Sequence, residues 1–377
     1  MKIFNKSEWK KVKLGDICEV ITGNTPLKKV KEYWDKDEVP FITPPELKYE
    51  GINYITPSIF ISKIGAKQGR IIPKNSICVC CIGSLGKLGI LKENAITNQQ
   101  INSLILKNEN VDLLYLYFYL KTIKNNLESI ATSTTVKIIN KSSFEKIDIN
   151  LPSLEIQKKI SKKLELLENN INFRKLQLNS LNELSKSLFT RMFGNPFYFN
   201  KIKEDNRSFL KDIAIINPTK KEIEYIENNL EISFVTMADI SENGEINVNN
   251  IKKLEDVKNN FTFFKEGDVL FAKITPSMEN GKGGVAKNLK NNIGFGTTEI
   301  HIIRPIRNIT NSQWLYHLTK LPLFRKDAEI HMTGSAGQKR VPTTYLSNFK
   351  IKVPPIELQN KFAERVEKIE KLSFNFY

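Results

Sequence analysis

The residues of this chain that could do chemistry point to binding and not to catalysis. His301, His317 and His331 are scattered, with no HExxH or other metal-ligand spacing, and read as structural. Cys78, Cys80 and Cys81 crowd the apolar run SICVCCIG without a CxxC pair, the pattern of reduced thiols in a buried strand. Gly83–Gly89, GSLGKLG, lacks the Ser or Thr that a phosphate loop needs after its lysine, and no acidic pair followed by Glu-x-Lys marks a nuclease. The polar loops are more informative. Lys273, Lys282, Lys287 and Lys290 lie in KITPSMENGKGGVAKNLK, where Gly281, Gly283 and Gly284 let backbone approach a phosphate chain. Gln338, Lys339 and Arg340 close the small-residue loop that starts at Thr333, and Gln and Arg can read adenine and guanine edges. Lys137 ends the comparable stretch from Thr132, and Lys63, Lys67, Gln68 and Arg70 form a further basic turn.

The charge balance agrees. The net charge is +16. Residues 1–150 carry 22 Lys+Arg against 15 Asp+Glu, and residues 201–352 carry 23 against 18, so both halves share the excess. Distributed positive charge on a folded protein suits a polyanion such as DNA or RNA. No apolar run of 18 residues is present, and the start, MKIFNKSEWKK, has no signal-like apolar core, so the expected location is cytoplasmic and no membrane partner is expected. Asn195-Pro-Phe-Tyr198 resembles the Asn-Pro-Pro-aromatic motif of amino-methyltransferases. It lacks the second proline and a glycine-rich cofactor strand, and at a helix stop it reads as a turn.

The elements that must position these loops occur twice. Residues 151–162, LPSLEIQKKISK, return 202 positions later as VPPIELQNKFAE, each after a short apolar alternation ending in proline. Such a repeat marks a duplicated module. Ile160, Leu164, Leu167 and Ile171 continue to Leu178 and Leu181, then to Leu184, Leu188 and Met192, with no Gly or Pro between Ser153 and Gly194. That heptad seam predicts a helix over 154–193, roughly 60 Å long at about 1.5 Å per residue. The second copy predicts a shorter helix over 356–373. Leu178, Leu181 and Leu188 then lie beyond its reach and become candidate partner-binding residues. Elsewhere ICEVIT, VPFIT, SICVCCI, NSLIL, EISFVT, DVLFAKI and EIHIIRP read as strands, and residues 112–123 and 312–326 as helical runs. Leu14-Gly-Asp16-Ile17 answers to Leu210-Lys-Asp212-Ile213, and Asn98-Gln-Gln100-Ile101 to Thr297-Thr-Glu299-Ile300.

Together these residues resemble the DNA-specificity subunits of type I restriction–modification systems. The resemblance rests on ITGNTPLKKVKEYWDKDEVPFITPPEL (21–47), Asn98-Gln-Gln100, Thr298-Glu299, the repeated Leu-Pro-x-Leu-Glu-x-Gln phrase, and Arg191-Met-Phe-Gly194 closing the central helix. It implies an α+β fold with two similar target recognition domains, joined by two long antiparallel coiled-coil-like helices in a pseudo-twofold arrangement. The implied divisions are 8–150 and 201–352 for recognition, 151–200 for a helical spacer and 353–377 for the C-terminal helix. The chain would be non-catalytic and hold no cofactor. Its implied partners are double-stranded DNA, two modification (methyltransferase) subunits that use S-adenosylmethionine, and restriction subunits that use ATP and Mg. The competing class is an orphan nucleic-acid-binding or scaffold protein of the same fold.

Overall fold

The computed structural model describes residues 9–132, 136–194, 207–335 and 337–374. The turn read at Asn195–Tyr198 and the ends of the expected divisions at 8, 200, 201 and 377 lie outside these residues. The chain divides into two compact units, Met1–Lys175 and Leu176–Tyr377.

In unit 1, strands β1 (Cys18–Thr22), β2 (Ile77–Cys80), β3 (Leu88–Ile90) and β4 (Ile101–Leu106) form one antiparallel sheet in the order β1-β4-β2-β3. Every residue of β2 is buried, as an unbroken apolar run requires of a central strand. Helix α1 (Leu113–Thr122) is capped by the Asp112 carboxylate, which accepts from Tyr115 N at 2.8 Å. Its Leu116, Tyr117 and Leu120 pack in one core with Val20, Val79 and Leu104 of the sheet. A smaller sheet pairs Val39–Ile42 parallel to Ile96–Thr97 and antiparallel to Phe60–Ile61. Lys10–Lys13 pairs with Asp148–Leu151, so the first and last strands of the unit close it.

Residues 154–193 form a single helix, α2 (Leu154–Phe193), with the bounds that the seam predicts.

Unit 2 repeats the plan. Strands β5 (Ala214–Ile216), β6 (Val269–Ala272), β7 (Gly283–Val285) and β8 (Ile300–Pro305) form a sheet in the order β5-β8-β6-β7, again antiparallel throughout. Its smaller sheet pairs Glu231–Val235 parallel to Ile293–Gly296, with Ile251–Lys253 and Thr262–Lys265 on the two edges. Ser208–Phe209 pairs with Lys350–Ile351 as the closing strands. Helix α3 (Ser312–Lys320) takes the place of α1, with the Asn311 side chain accepting from Trp314 N at 2.9 Å. The single helical run expected over 312–326 is in fact two helices, because Pro322 opens a second one at Pro322–Ile330. Proline cannot donate into the preceding turn, and it holds Leu321 extended at φ −59°, ψ 132°.

Helix α4 (Ile356–Phe374) lies against the unit-2 half of α2. Phe362 meets Phe189 and Phe193 at ring separations of 5.4 and 5.3 Å, and Arg365 reaches Met192. Val366 and Ile369, later on α4, share a cavity with Leu181 and Leu178, earlier on α2, so the two segments run antiparallel.

Candidate nucleic-acid interface

The loop at Thr333–Arg340 is held on the end of β6 by a short backbone frame. Lys273 N donates to Glu299 O (3.0 Å), Val341 N to Lys273 O (2.9 Å) and Thr275 N to Lys339 O (3.0 Å). Arg340 bridges in register with both Ile274 and Thr333. Unit 1 holds its own loop by the same three bonds. Cys81 N donates to Gln100 O (2.8 Å), Ile139 N to Cys81 O (2.9 Å) and Gly83 N to Lys137 O (3.0 Å). Ile138 bridges there with Ile82 and Thr132. The pairing of Thr132–Lys137 with Thr333–Lys339 is thus a structural equivalence. Residues 133–135 and Ala336 lie outside the described residues.

The side chains on this shared frame differ. Arg340 grips the Glu299 carboxylate through Nε and Nη2, both at 2.8 Å, while Nη1 donates to Gln338 O at 2.9 Å. Its fork is therefore filled by Glu299 and by its own loop, and it braces Gln338 and Lys339, which are exposed. The bond from Arg340 holds the Glu299 carboxyl below the usual range. Lys273, half-buried beneath the loop, is pushed down by burial and by Arg340 against the opposing pull of Glu299. In unit 1, Ile138 and Gln100 stand where this ion pair stands.

The other basic candidates are placed as follows. Lys282 Nζ donates to Met237 O at 2.8 Å, inside a turn that Thr236 and Asp239 cap. Lys287 pairs with Glu370 of α4 at 2.6 Å, Lys290 with Glu231 at 3.5 Å and Lys137 with Glu128 at 3.3 Å. Lys63, Lys67, Gln68 and Arg70 lie on an exposed one-turn helix and its exit. Ser62 caps that helix, and Lys63 N donates to Glu38 at 2.8 Å. Arg70 donates to Thr22 O at 2.9 Å and Asn24 to Gln68 O at 2.7 Å, which gathers this turn against the Gly23–Pro26 segment. Thr25 in turn donates to the exposed Gln99 at 2.6 Å. Gly23 is required because a Cβ there would fall 2.2 Å from the carbonyl oxygens of Thr97 and Asn98. Asn24, Thr25 and Gln99 were not singled out from the sequence; the Gly-x-Thr-Pro run beside a glutamine pair was the available signal.

The repeated phrase attaches each helix to its unit. Gln157 is buried; its amide donates to Pro152 O (2.9 Å) and Asn110 O (3.0 Å), and its oxygen accepts from Asp112 N (2.8 Å). Over its middle α2 exposes apolar side chains. Leu166, Leu167, Ile171, Phe173 and Leu176 are each about half exposed or more. The exposed apolar side chains are concentrated over residues 166–176, about 15 Å, with Leu184 also half exposed further on, and do not cover the full seam. The expectation that Leu178, Leu181 and Leu188 lie beyond the second helix does not hold. Leu188 packs in the core with Phe362 and Val366, and Leu178 and Leu181 line a cavity with Val366 and Ile369. The expected antiparallel packing starts α4 beside Phe189 and Phe193, at the far end of α2, and so carries Val366 and Ile369 back to Leu181 and Leu178.

The remaining reactive side chains are built into cores. All four cysteines are free and buried, and burial pushes Cys18, Cys78 and Cys81 up to about 12. His301 bonds Val341 O and His317 bonds Gln313 O, and burial pushes both down to about 4. Among the described residues, no three or more His, Cys, Asp or Glu side chains are grouped so as to hold a metal. No described helix is long and apolar enough to cross a membrane.

A family model for the type I restriction modification DNA specificity domain matches residues 6–183 and 203–375, and the chain belongs to that family. The chain is similar to the type I restriction enzyme EcoAI specificity subunit of Escherichia coli, with 43% identity over 164 residues, 43% of this chain and 27% of that protein. It is also similar to the MjaVIII specificity subunit of Methanocaldococcus jannaschii, with 28% identity over 387 residues, 97% of this chain and 87% of that one. The matched regions span 27% of the EcoAI subunit and 30% of the EcoEI subunit. A crystal structure of a type I restriction–modification S subunit from M. genitalium superposes with a TM-score of 0.60, covering 100% of this chain and 93% of that chain, at 15% identity, which is a likeness of fold.

Proposed function

We propose that this chain is the DNA-recognition subunit of a type I restriction–modification assembly, with each unit reading one half of a split duplex site. The observation that supports this most is the duplicated loop frame. Two units present polar loops on identical backbone supports, and each is latched to a helix by an identical buried glutamine. One frame read twice with different side chains suits two different half-sites.

In this reading residues 8–150 and 201–352 are the recognition domains, and 151–200 with 353–377 form the helical spacer. Gln338 and Lys339, with Gln68, Arg70, Asn24 and Gln99 in the first unit, face the bases, while Arg340 positions its loop. Lys63, Lys67 and Lys137 contact phosphate. Lys273, Lys282, Lys287 and Lys290 add to the field and contact phosphate only by leaving their present partners. Methylation, with S-adenosylmethionine, and translocation and cleavage, with ATP and Mg, belong to modification and restriction subunits. Two modification subunits assemble on the two similar units, in part on the bare stretch of α2. The chain itself carries out no chemistry and works in the cytoplasm.

The test is co-expression with its methyltransferase partner, followed by selection of bound duplexes from a randomised library. The expected motif has two short specified halves around an unspecified gap, and affinity falls steeply between about 50 and 200 mM salt as counterions are released. A single contiguous motif, no sequence preference, or no salt dependence overturns the reading.

A further inference from the structure

Unit 2 contains a cavity of about 490 Å³ at a place where the equivalent unit-1 side chains pair with one another. The equivalence follows from position. Tyr117 and Lys121 stand five and nine residues after the α1 cap Asp112, and Tyr316 and Lys320 stand five and nine after the α3 cap Asn311. Glu168 and Glu370 each follow the latch glutamine by eleven.

In unit 1 these groups satisfy one another. Tyr117 Oη donates to Gly51 O (3.2 Å) and accepts from Asn53 N (3.0 Å). Lys121 donates to Gly51 O (3.1 Å) and pairs with Glu168 (3.0 Å). In unit 2 the set has come apart. Glu370 is taken by Lys287 (2.6 Å) and Gln313 (3.1 Å). The Tyr316 hydroxyl is buried without a hydrogen-bond partner. Lys320 has no ion pair or hydrogen bond among the described residues, and its ammonium lies 5.4 Å from the centre of the Tyr316 ring. A buried hydroxyl left without a partner costs free energy that a ligand can recover.

Tyr316 and Lys320 line the cavity together with Leu178, Leu181, Val366 and Ile369. This is a chamber of ligand size with an apolar wall and a polar, charged remainder that includes Lys186, Lys287, Glu245 and Glu370, and Lys320 is its cation without an ion pair among the described residues. Desolvation, with Lys186 and Arg325 adding to it, pushes Lys320 down to about 8, and a bound anion would reverse that shift.

We propose that this cavity binds a small monocarboxylate with an apolar body, its carboxylate accepting from Lys320 Nζ and Tyr316 Oη and its tail lying on the leucine and valine wall. A monoanion fits better than a phosphate, since there is one cation without an ion pair among the described residues and two carboxylates, Glu245 and Glu370, also border the space.

The test uses octanoate and octan-1-ol, titrated by calorimetry into the full-length chain as purified, in complex with its partner if it requires one. Amine-selective labelling at about pH 8, mapped by mass spectrometry, is run in parallel. Octanoate should bind at least about tenfold more tightly than octan-1-ol, and it should protect Lys320 from labelling. Lys320→Met should weaken octanoate binding by at least about tenfold. The near-isosteric Tyr316→Phe keeps the fold and should weaken it by several-fold, so a folding failure in the first variant does not decide the matter. No octanoate binding at millimolar concentration, equal binding of the alcohol, or full binding by Tyr316→Phe together with unprotected Lys320 overturns the proposal.

Discussion

Gln157 and Gln359 make the same three hydrogen bonds in the two units. Gln359 donates to Pro354 O (2.9 Å) and Ile309 O (2.9 Å) and accepts from Asn311 N (3.0 Å), matching Gln157 partner for partner. Each glutamine thus ties the start of a helix to the strand exit before it and to the cap of another helix. Replacing either by Ala leaves one buried N–H and two buried carbonyls unpaired, and should lower the stability of its unit by about 2–4 kcal/mol. Glutamate should do no better, since it keeps the acceptor and loses both donors. Urea denaturation followed by hydrogen exchange on peptides of each unit checks this, and a loss spread evenly over both units counts against it.

Mild acid should weaken unit 2 selectively. His301 and His317 are held neutral, with folded values lowered from 6.5 to about 4, and all three histidines lie in unit 2. The unfolded chain binds the extra protons, so stability is full above about pH 6.5 and falls as the pH drops toward 4. At pH 5 each histidine should cost about 2 kcal/mol. His317→Phe installs the residue that unit 1 carries at Phe118, and should remove roughly half of that acid sensitivity. Hydrogen exchange at pH 7 and 5, corrected for intrinsic rates, gives the comparison.

The ion pair of Arg340 with Glu299 separates a brace from a base reader. If Arg340 positions the loop, Glu299→Gln and Arg340→Ala should both weaken binding at the same half-site, by about 1–3 kcal/mol, and the double variant should add little further. If Arg340 reads a base, freeing it by Glu299→Gln should preserve or improve affinity. Binding of the assembled complex to duplexes altered in one half-site distinguishes the two.

The two parts of the α2 seam should respond oppositely to charge. Ile171→Asp falls in the bare stretch and should leave thermal unfolding nearly unchanged while weakening assembly with a methyltransferase subunit. Leu188→Asp places a charge in the unit-2 core and should cost several kcal/mol. Thermal melts with co-purification measure both effects.

Much of this fold was legible because its signals are local. The bounds of α2 follow from an uninterrupted seam between Ser153 and Gly194, and the strands from short apolar runs. The duplication was legible as a phrase, though not the reason for its glutamine, since the partners at Asn110 and Ile309 lie more than 45 residues away. The basic candidates were the least legible. Lys282, Lys287 and Arg340 look free in sequence, and only tertiary structure brings Met237 O, Glu370 and Glu299 within reach. The reach of α4 was misjudged although its antiparallel direction was expected, because the sequence does not give the position along α2 at which Phe362 docks.

The latch at Gln157 also sets a bearing. An α-helix turns by about 100° and advances about 1.5 Å with each residue. A slip of one position at the buried amide would swing Ile171, fourteen residues on, more than a quarter-turn about the axis. The compass heading of the bare stripe is therefore fixed at the root of the helix, by one side-chain amide and three carbonyl or amide partners. A change there would therefore misdirect a surface as well as weaken the unit that carries it.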